Sequence, residues 1–182
     1  GGKSRRMKGN NKAFLSFNNK SFIENIIEAL EDIDKIYISV DEKEKYKSLD
    51  FPLIEDEYKD IGPIGGMYSA FKKMNCDFIL VLPCDMPRVN KEFVKFLLES
   101  VREDDRCLVL QDSENRLYPL GAVYNRNILI KLEDMIERKD YKLVNLVKNI
   151  NGRIIKLNKE DELNKSLINV NDPEEYKKLN RN

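Results

Sequence analysis

The chain has 182 residues, enough for one domain with a real core, and its 32 Lys and Arg balance 32 Asp and Glu. It therefore carries no global field that favours nucleic acid, and its longest apolar runs, such as Phe78 to Pro83, are far too short to span a bilayer. There is no histidine, and the three cysteines, Cys76, Cys84 and Cys107, include no Cys-x-x-Cys pair, which excludes histidine-based triads and argues against structural zinc. Scattered thiols without a secretory leader point to a soluble protein of the reducing cytoplasm, with neither membrane nor nucleic acid as a partner.

The first twelve residues hold three glycines, two asparagines and five cations, and the first carboxylate of the chain is Glu24. Glycines let backbone N–H groups approach phosphate oxygens, and Lys and Arg add charge and forked donors. Gly1, Gly2, Arg6 and Lys12 thus read as parts of a polyphosphate cradle, with a frayed basic terminus as the alternative. Gly2-Lys3-Ser4 is not the tail of a P-loop, because the following residues lack apolar periodicity and form helices poorly. The chain opens without Met and inside what reads as a loop, so an apolar strand is expected ahead of Gly1.

Ser21-Phe22-Ile23-Glu24 has capping-box form, and the apolar spacing from Phe22 to Ile33 predicts a helix. Lys35 to Val40 is a predicted strand, which with the expected leading strand makes a βαβ unit. Phe51 to Ile54 is a second short strand that ends in the acidic Glu55-Asp56-Glu57. Gly62 to Gly66 reads as a glycine-rich turn before a helix over 67–74. Gly65 and Gly66 serve there either close packing against the sheet or the approach of a ligand. Phe78 to Pro83 lacks alternation and is expected to be a central strand buried on both faces. Cys84-Asp85-Met86-Pro87 follows it and places Asp85 beyond the carboxyl end of that strand, where open α/β sheets bind ligands. Asp85 is the leading metal ligand; its alternative role is to form a turn ahead of Asn90 and the helix Lys91 to Glu99.

Cys107 to Leu110 is a further strand, and Leu117 to Tyr124 an extended segment broken near Pro119. Helices fit Ile128 to Ile136 and Leu143 to Val147, strands Arg153 to Leu157 and Leu167 to Asn171. Lys159 to Glu162 reads as a solvated loop. Asp172-Pro173-Glu174-Glu175 starts a last helix. No repeat, linker or low-complexity tract divides the chain, so residues 1–182 form one domain.

With these landmarks the chain resembles the MobA-like molybdenum cofactor guanylyltransferases of the nucleotidyltransferase superfamily. The resemblance rests on Gly1-Gly2-Lys3-Ser4-Arg5-Arg6-Met7 leading to Lys12, Gly62-Pro63-Ile64-Gly65-Gly66, Pro83-Cys84-Asp85-Met86-Pro87, Tyr118-Pro119-Leu120 and Asn169-Val170-Asn171-Asp172-Pro173-Glu174. It implies an α/β fold, a Rossmann-like three-layer sandwich with a mostly parallel central sheet. It also implies transfer of GMP from Mg-GTP to the terminal phosphate of molybdopterin, with transient protein partners in cofactor biosynthesis as a further expectation. By position, Gly1, Gly2 and Lys12 would bind the nucleotide, Asp56 would lie by the guanosine, Asp85 would hold Mg²⁺, and Asn169 and Asn171 would line the molybdopterin side. The chain departs from the family pattern in three places. The strand ending in Leu-Ala-Gly-Gly is absent before Gly1, Lys8 stands where a glycine commonly follows Arg-Met, and Ser39-Val40-Asp41 stands where an asparagine is frequent.

The implied chemistry agrees with the composition, because a phosphate nucleophile is already anionic and needs no imidazole base. A cytidylyltransferase, a sugar-phosphate nucleotidyltransferase and a non-catalytic nucleotide-binding protein are the alternative readings.

Overall fold

One strand that is apolar on both faces explains the layering of the whole fold. In the computed structural model, which describes residues 11–47 and 49–179, strand β6 (Cys107–Gln111) is buried from Cys107 to Leu110. Cys107 and Val109 face one core with Ile64, Phe71, Leu132 and Leu146, while Leu108 and Leu110 face another with Ala29, Phe93 and Leu97. Successive side chains of a strand point to opposite faces. The sheet therefore lies between two helical layers, one formed by α2 (Pro63–Lys73), α4 (Leu129–Glu137) and α5 (Leu143–Asn149), the other by α1 (Phe22–Ala29) and α3 (Lys91–Ser100).

The expected three-layer α/β architecture is present, but its strands pair in a mixed sense among the described residues. Strands β3 (Ile38–Val40) and β4 (Leu53–Glu55) run parallel, whereas β7 (Leu117–Asn125) runs antiparallel to both β5 (Phe78–Val81) and β6. Strand β8 (Arg153–Lys156) is parallel to β6, giving the order β5-β7-β6-β8. The cause is local. Residues 112–116 form a tight hairpin turn in which Asp112 N donates to Arg116 O at 3.0 Å and Asn115 takes φ 63°, and so short a connection can only join antiparallel strands. Because β7 inserts between β5 and β6, β5 ends that four-stranded ladder instead of lying at its centre, and only Ile79 of its four residues is buried.

The register of β7 shifts between Leu108 and Leu110, so the break expected near Pro119 is a bulge within one strand, beside Gly121. Helix α1 begins at the predicted capping box: Ser21 N donates to Glu24 Oε2 at 2.6 Å, and Glu24 N donates to Ser21 Oγ. It ends at Ala29, not Ile33, because Asp32 and Asp34 would face the negative end of the helix dipole. Leu30 and Ile33 continue as a turn that packs against the core. Ahead of α1, β1 (Ser16–Phe17) and β2 (Lys20–Ser21) pair through Asn18 and Asn19, whose φ values of 52° and 64° suit a two-residue hairpin turn.

The glycine-rich segment from Gly62 is the start of α2 itself. Pro63 takes the first helical position, and Gly62 precedes it at φ 69°, where a side chain would be strained. Residues Leu167 to Asn171 do not form the expected strand. They follow the short helix α6 (Leu163–Ser166) and lead into α7 (Pro173–Leu179), whose N–H groups at Glu174 and Glu175 donate to Asp172 Oδ1 at 2.9 Å.

Candidate functional site

Three residues far apart in sequence meet at the carboxyl end of β5. Lys12 lies in a 3-10 turn (Lys12–Phe14) that Asn11 caps by accepting from Ala13 N at 3.1 Å. Its Nζ is 3.4 Å from Asp85 Oδ2 and 3.4 Å from Asn171 Oδ1. Asp85 has left the strand through the turn at Pro83–Cys84, and its carbonyl accepts from Val170 N at 2.8 Å. Asn171 is held by its own N–H, which donates to Glu175 of α7. The side chains of Lys12 and Asp85 are 16% and 22% exposed, so the ion pair is partly shielded yet open to a ligand, and contacts of 3.4 Å are weak enough for an incoming anion to compete for the lysine. Asp85 is thus a partner of Lys12 here, while the helix that follows is capped by Asn90, which accepts from Phe93 N at 2.9 Å.

A second polar cluster lies at the carboxyl ends of β3 and β4. Ser39 Oγ donates to Asp56 Oδ1 at 2.7 Å. Burial raises the Asp56 carboxyl above its ordinary range, against the lowering effect of that hydrogen bond. Asp41 accepts from Lys45 Nζ at 2.9 Å, which holds its carboxyl low, while its Oδ1 is buried with no partner among the described residues.

These two clusters share one edge. The hydroxyl of buried Tyr46 accepts from Asn11 Nδ2 at 2.9 Å and lies within electrostatic reach of both Asp41 and Cys84, and Asp56 lies within reach of Asp41. The residues that follow β3, β4 and β5 therefore line a continuous rim, the place where α/β sheets take ligands. Burial, and then the charge of Asp85, raises the Cys84 thiol, which makes it a packing group rather than a nucleophile.

The predicted site residues divide accordingly. Lys12, Asp85 and Asn171 converge, and Asp56 lies along the same rim. Asn169 is exposed two residues before Asn171. Gly65 packs so closely that a Cβ there would be 2.6 Å from Tyr58 O, and one on Gly66 would be 2.6 Å from Ser39 Oγ. Gly1, Gly2 and Arg6 lie outside the described residues. Tyr46 and Arg88 escape a reading of the sequence, since each is a single residue without motif spacing. A charged, polar rim at the carboxyl edge of a three-layer α/β sheet, with a lysine and a carboxylate aimed at one point, defines a nucleotide-handling α/β protein.

The chain belongs to the MobA-like NTP transferase domain family, whose model matches residues 1–154. Among curated relatives it is 34% identical to the "Probable molybdenum cofactor guanylyltransferase" of Clostridium perfringens strain 13, over 98% of this chain and 92% of that one. It is 30% identical to the molybdenum cofactor guanylyltransferase of Vibrio parahaemolyticus, over 96% of this chain and 89% of the other. The molybdopterin-guanine dinucleotide biosynthesis protein A of Archaeoglobus fulgidus, a solved structure, has the same fold with a TM-score of 0.80 at 21% identity, over 100% of this chain and 94% of that one. Among the described residues, no helix is long and apolar enough to cross a membrane.

Proposed function

We propose that this protein transfers GMP from GTP to the terminal phosphate of molybdopterin and releases pyrophosphate. The observation that carries the reading is the convergence of Lys12, Asp85 and Asn171 at one rim, in a family whose curated members are named as guanylyltransferases. An oxygen of the acceptor phosphate attacks the α-phosphorus of GTP. The bond from that phosphorus to the β-phosphate oxygen breaks, and the electron pair leaves with pyrophosphate. No proton needs to be removed, in keeping with a chain that has no histidine.

Lys12, with Gly1, Gly2 and Arg6, binds the phosphates and spreads the charge that develops on them. Asp85 is suited to a divalent ion, taken here as Mg²⁺. No group of three or more His, Cys, Asp or Glu forms a protein-only cage among the described residues, and Mg²⁺ is commonly held by one carboxylate together with water and substrate phosphates. When bound, such an ion offsets charge on the phosphate oxygens. Asp56 and Asp41 face the nucleoside. Guanine offers N–H donors at N1 and N2, which suit the buried Asp41 Oδ1 and the Asp56 carboxylate, whereas the corresponding edge of cytosine offers acceptors at N3 and O2. Gly65 lets α2 close on this end, and Asn169 and Asn171 line the acceptor side. The three free thiols, all raised by burial, suit the cytoplasm.

Pyrophosphate release from GTP, CTP and UTP, with molybdopterin present and with or without EDTA, tests the reading. We expect GTP to be preferred, EDTA to abolish turnover, and Asp85→Asn to lower the rate on the order of 10²–10³-fold. GTP binding in the absence of metal changes far less. Faster turnover of CTP reassigns the base, and GTP binding without pyrophosphate release makes the protein a non-catalytic binder.

A further inference from the structure

Arg88, three residues beyond Asp85, has no anionic partner among the described residues, although it lies half-buried on the rim. Its Nε is buried without an acceptor among the described residues, and its guanidinium carbon lies 5.7 Å from the centre of the Phe17 ring. The backbone beneath it is fixed, because Ser166 Oγ donates to Arg88 O at 3.1 Å while Val170 N donates to Asp85 O at 2.8 Å. The segments 85–88 and 166–170 are thus stitched together antiparallel. Phe17 packs in the small cluster of Phe22, Val170 and Leu179, which fixes Arg88 on the Asn171 side of Asp85, away from the Tyr46–Asp41–Asp56 side.

The nearby acids are already engaged: Asp85 with Lys12, Glu175 with Asn171 N, and Asp172 with the first N–H groups of α7. An arginine ordered by an aromatic ring, with a donor left buried and unmatched, is a defect in a structural role. It is an asset where an anion is to arrive, since a guanidinium presents paired donors to phosphate and stacks on rings at the same time.

We infer that Arg88 binds the terminal phosphate of the acceptor substrate and holds it against the repulsion of the GTP phosphates until attack. This rests on the proposed guanylyl transfer. No bond to Arg88 forms or breaks. The residue supplies position and charge, as expected of a cation that faces a phosphate nucleophile.

The test compares wild type, Arg88→Ala and Arg88→Lys in steady-state assays with molybdopterin and GTP, and in titrations of inorganic phosphate into protein saturated with GTP without metal. Arg88→Ala is expected to raise KM for molybdopterin about ten- to a hundredfold, leave KM for GTP unchanged and abolish the phosphate titration. Arg88→Lys recovers part of the loss, because charge returns without the paired donors. Equal losses for both substrates, or an unchanged KM for molybdopterin, would reduce Arg88 to a packing residue on Phe17. If wild type transfers no GMP to molybdopterin, the guanylyl-transfer reading fails by itself. Arg88 is then judged on the phosphate titration, where absent binding, or binding equal in wild type and Arg88→Ala, overturns the assignment.

Discussion

Gly66 offers a test of how tightly α2 closes on the Asp56 end of the rim. A methyl group at this position would lie 2.6 Å from Ser39 Oγ, well inside contact distance, and 3.5 Å from Asp56 Oδ1. Ser39 is exposed and its hydroxyl can turn aside, but turning breaks its 2.7 Å hydrogen bond to Asp56. That bond is worth about 0.5–1.5 kcal/mol. Against this, replacing a helical glycine by alanine stabilises by about 0.5–1 kcal/mol. Gly66→Ala alone is therefore expected to leave stability within about 1 kcal/mol of wild type, because the two effects oppose each other. In a Ser39→Ala background the obstructing oxygen is gone, and the next atoms, Asp56 Oδ1 at 3.5 Å and the residue 39 Cβ at 3.6 Å, lie at ordinary contact distance. There the same substitution should stabilise by the full helical increment. Urea unfolding of the four proteins yields a coupling energy of about 0.5–1.5 kcal/mol, and GTP affinity should fall in Gly66→Ala if Asp56 reads the base. Equal stabilisation by Gly66→Ala in both backgrounds would refute the reasoning, since it would mean that Ser39 and Gly66 do not compete for the same space.

Lys12→Ala is expected to weaken GTP binding about ten- to a hundredfold by removing a charge-assisted phosphate contact, and unchanged affinity in calorimetry would remove Lys12 from the phosphate site. Arg153 pairs with Asp105 through Nε at 2.7 Å and a second nitrogen at 2.7 Å, with the Asp105 side chain only 6% exposed, so Arg153→Ala should cost about 3–5 kcal/mol and lower the melting temperature by about 6–20 °C. Burial is the largest single effect and pushes the Asp105 carboxyl up, but the hydrogen bonds from Arg153 and from Arg102 N, with the charges of both arginines, together outweigh it and the pKa is lowered. The stability it contributes is therefore fully present above an unfolded pKa of about 4 and is lost as pH falls through the lower folded value. Stability measured against pH in acid should show this loss in wild type but not in Asp105→Asn, and parallel curves for the two proteins would discount the pair.

The parts of the fold that were legible in the sequence are those whose cause is local. The Ser21–Glu24 box, the Asn90 cap and Asp172-Pro173 each satisfy helix-end donors within a few residues, so the pattern and the geometry coincide. Strand neighbours are not local. The apolar run at Phe78 reports burial but cannot tell that β7 folds back through a five-residue turn and takes the central place. Gly65 and Gly66 read as a turn because glycine disfavours helices, yet they occupy the first turns of α2, where close contacts with Tyr58 O and Ser39 Oγ override propensity. In the site, Asp85 and Lys12 were visible as a carboxylate at a strand end and the last cation of a basic segment. Tyr46 and Arg88 were not, because what distinguishes them is a neighbour distant in sequence: Asn11 for one and Phe17 for the other.

The Lys12–Asn171 contact joins positions 159 residues apart in sequence. A chain emerging from the ribosome therefore displays its basic opening segment long before the amide that will face it has been made. Closure waits for α7, which is anchored by the small cluster of Phe22, Val170 and Leu179 with Tyr176 against Phe22, so the Asn171 side of the rim is expected to assemble late and detach early. In refolding experiments, secondary structure should return ahead of transfer activity. Simultaneous recovery of both would mean that the two ends of the chain dock early.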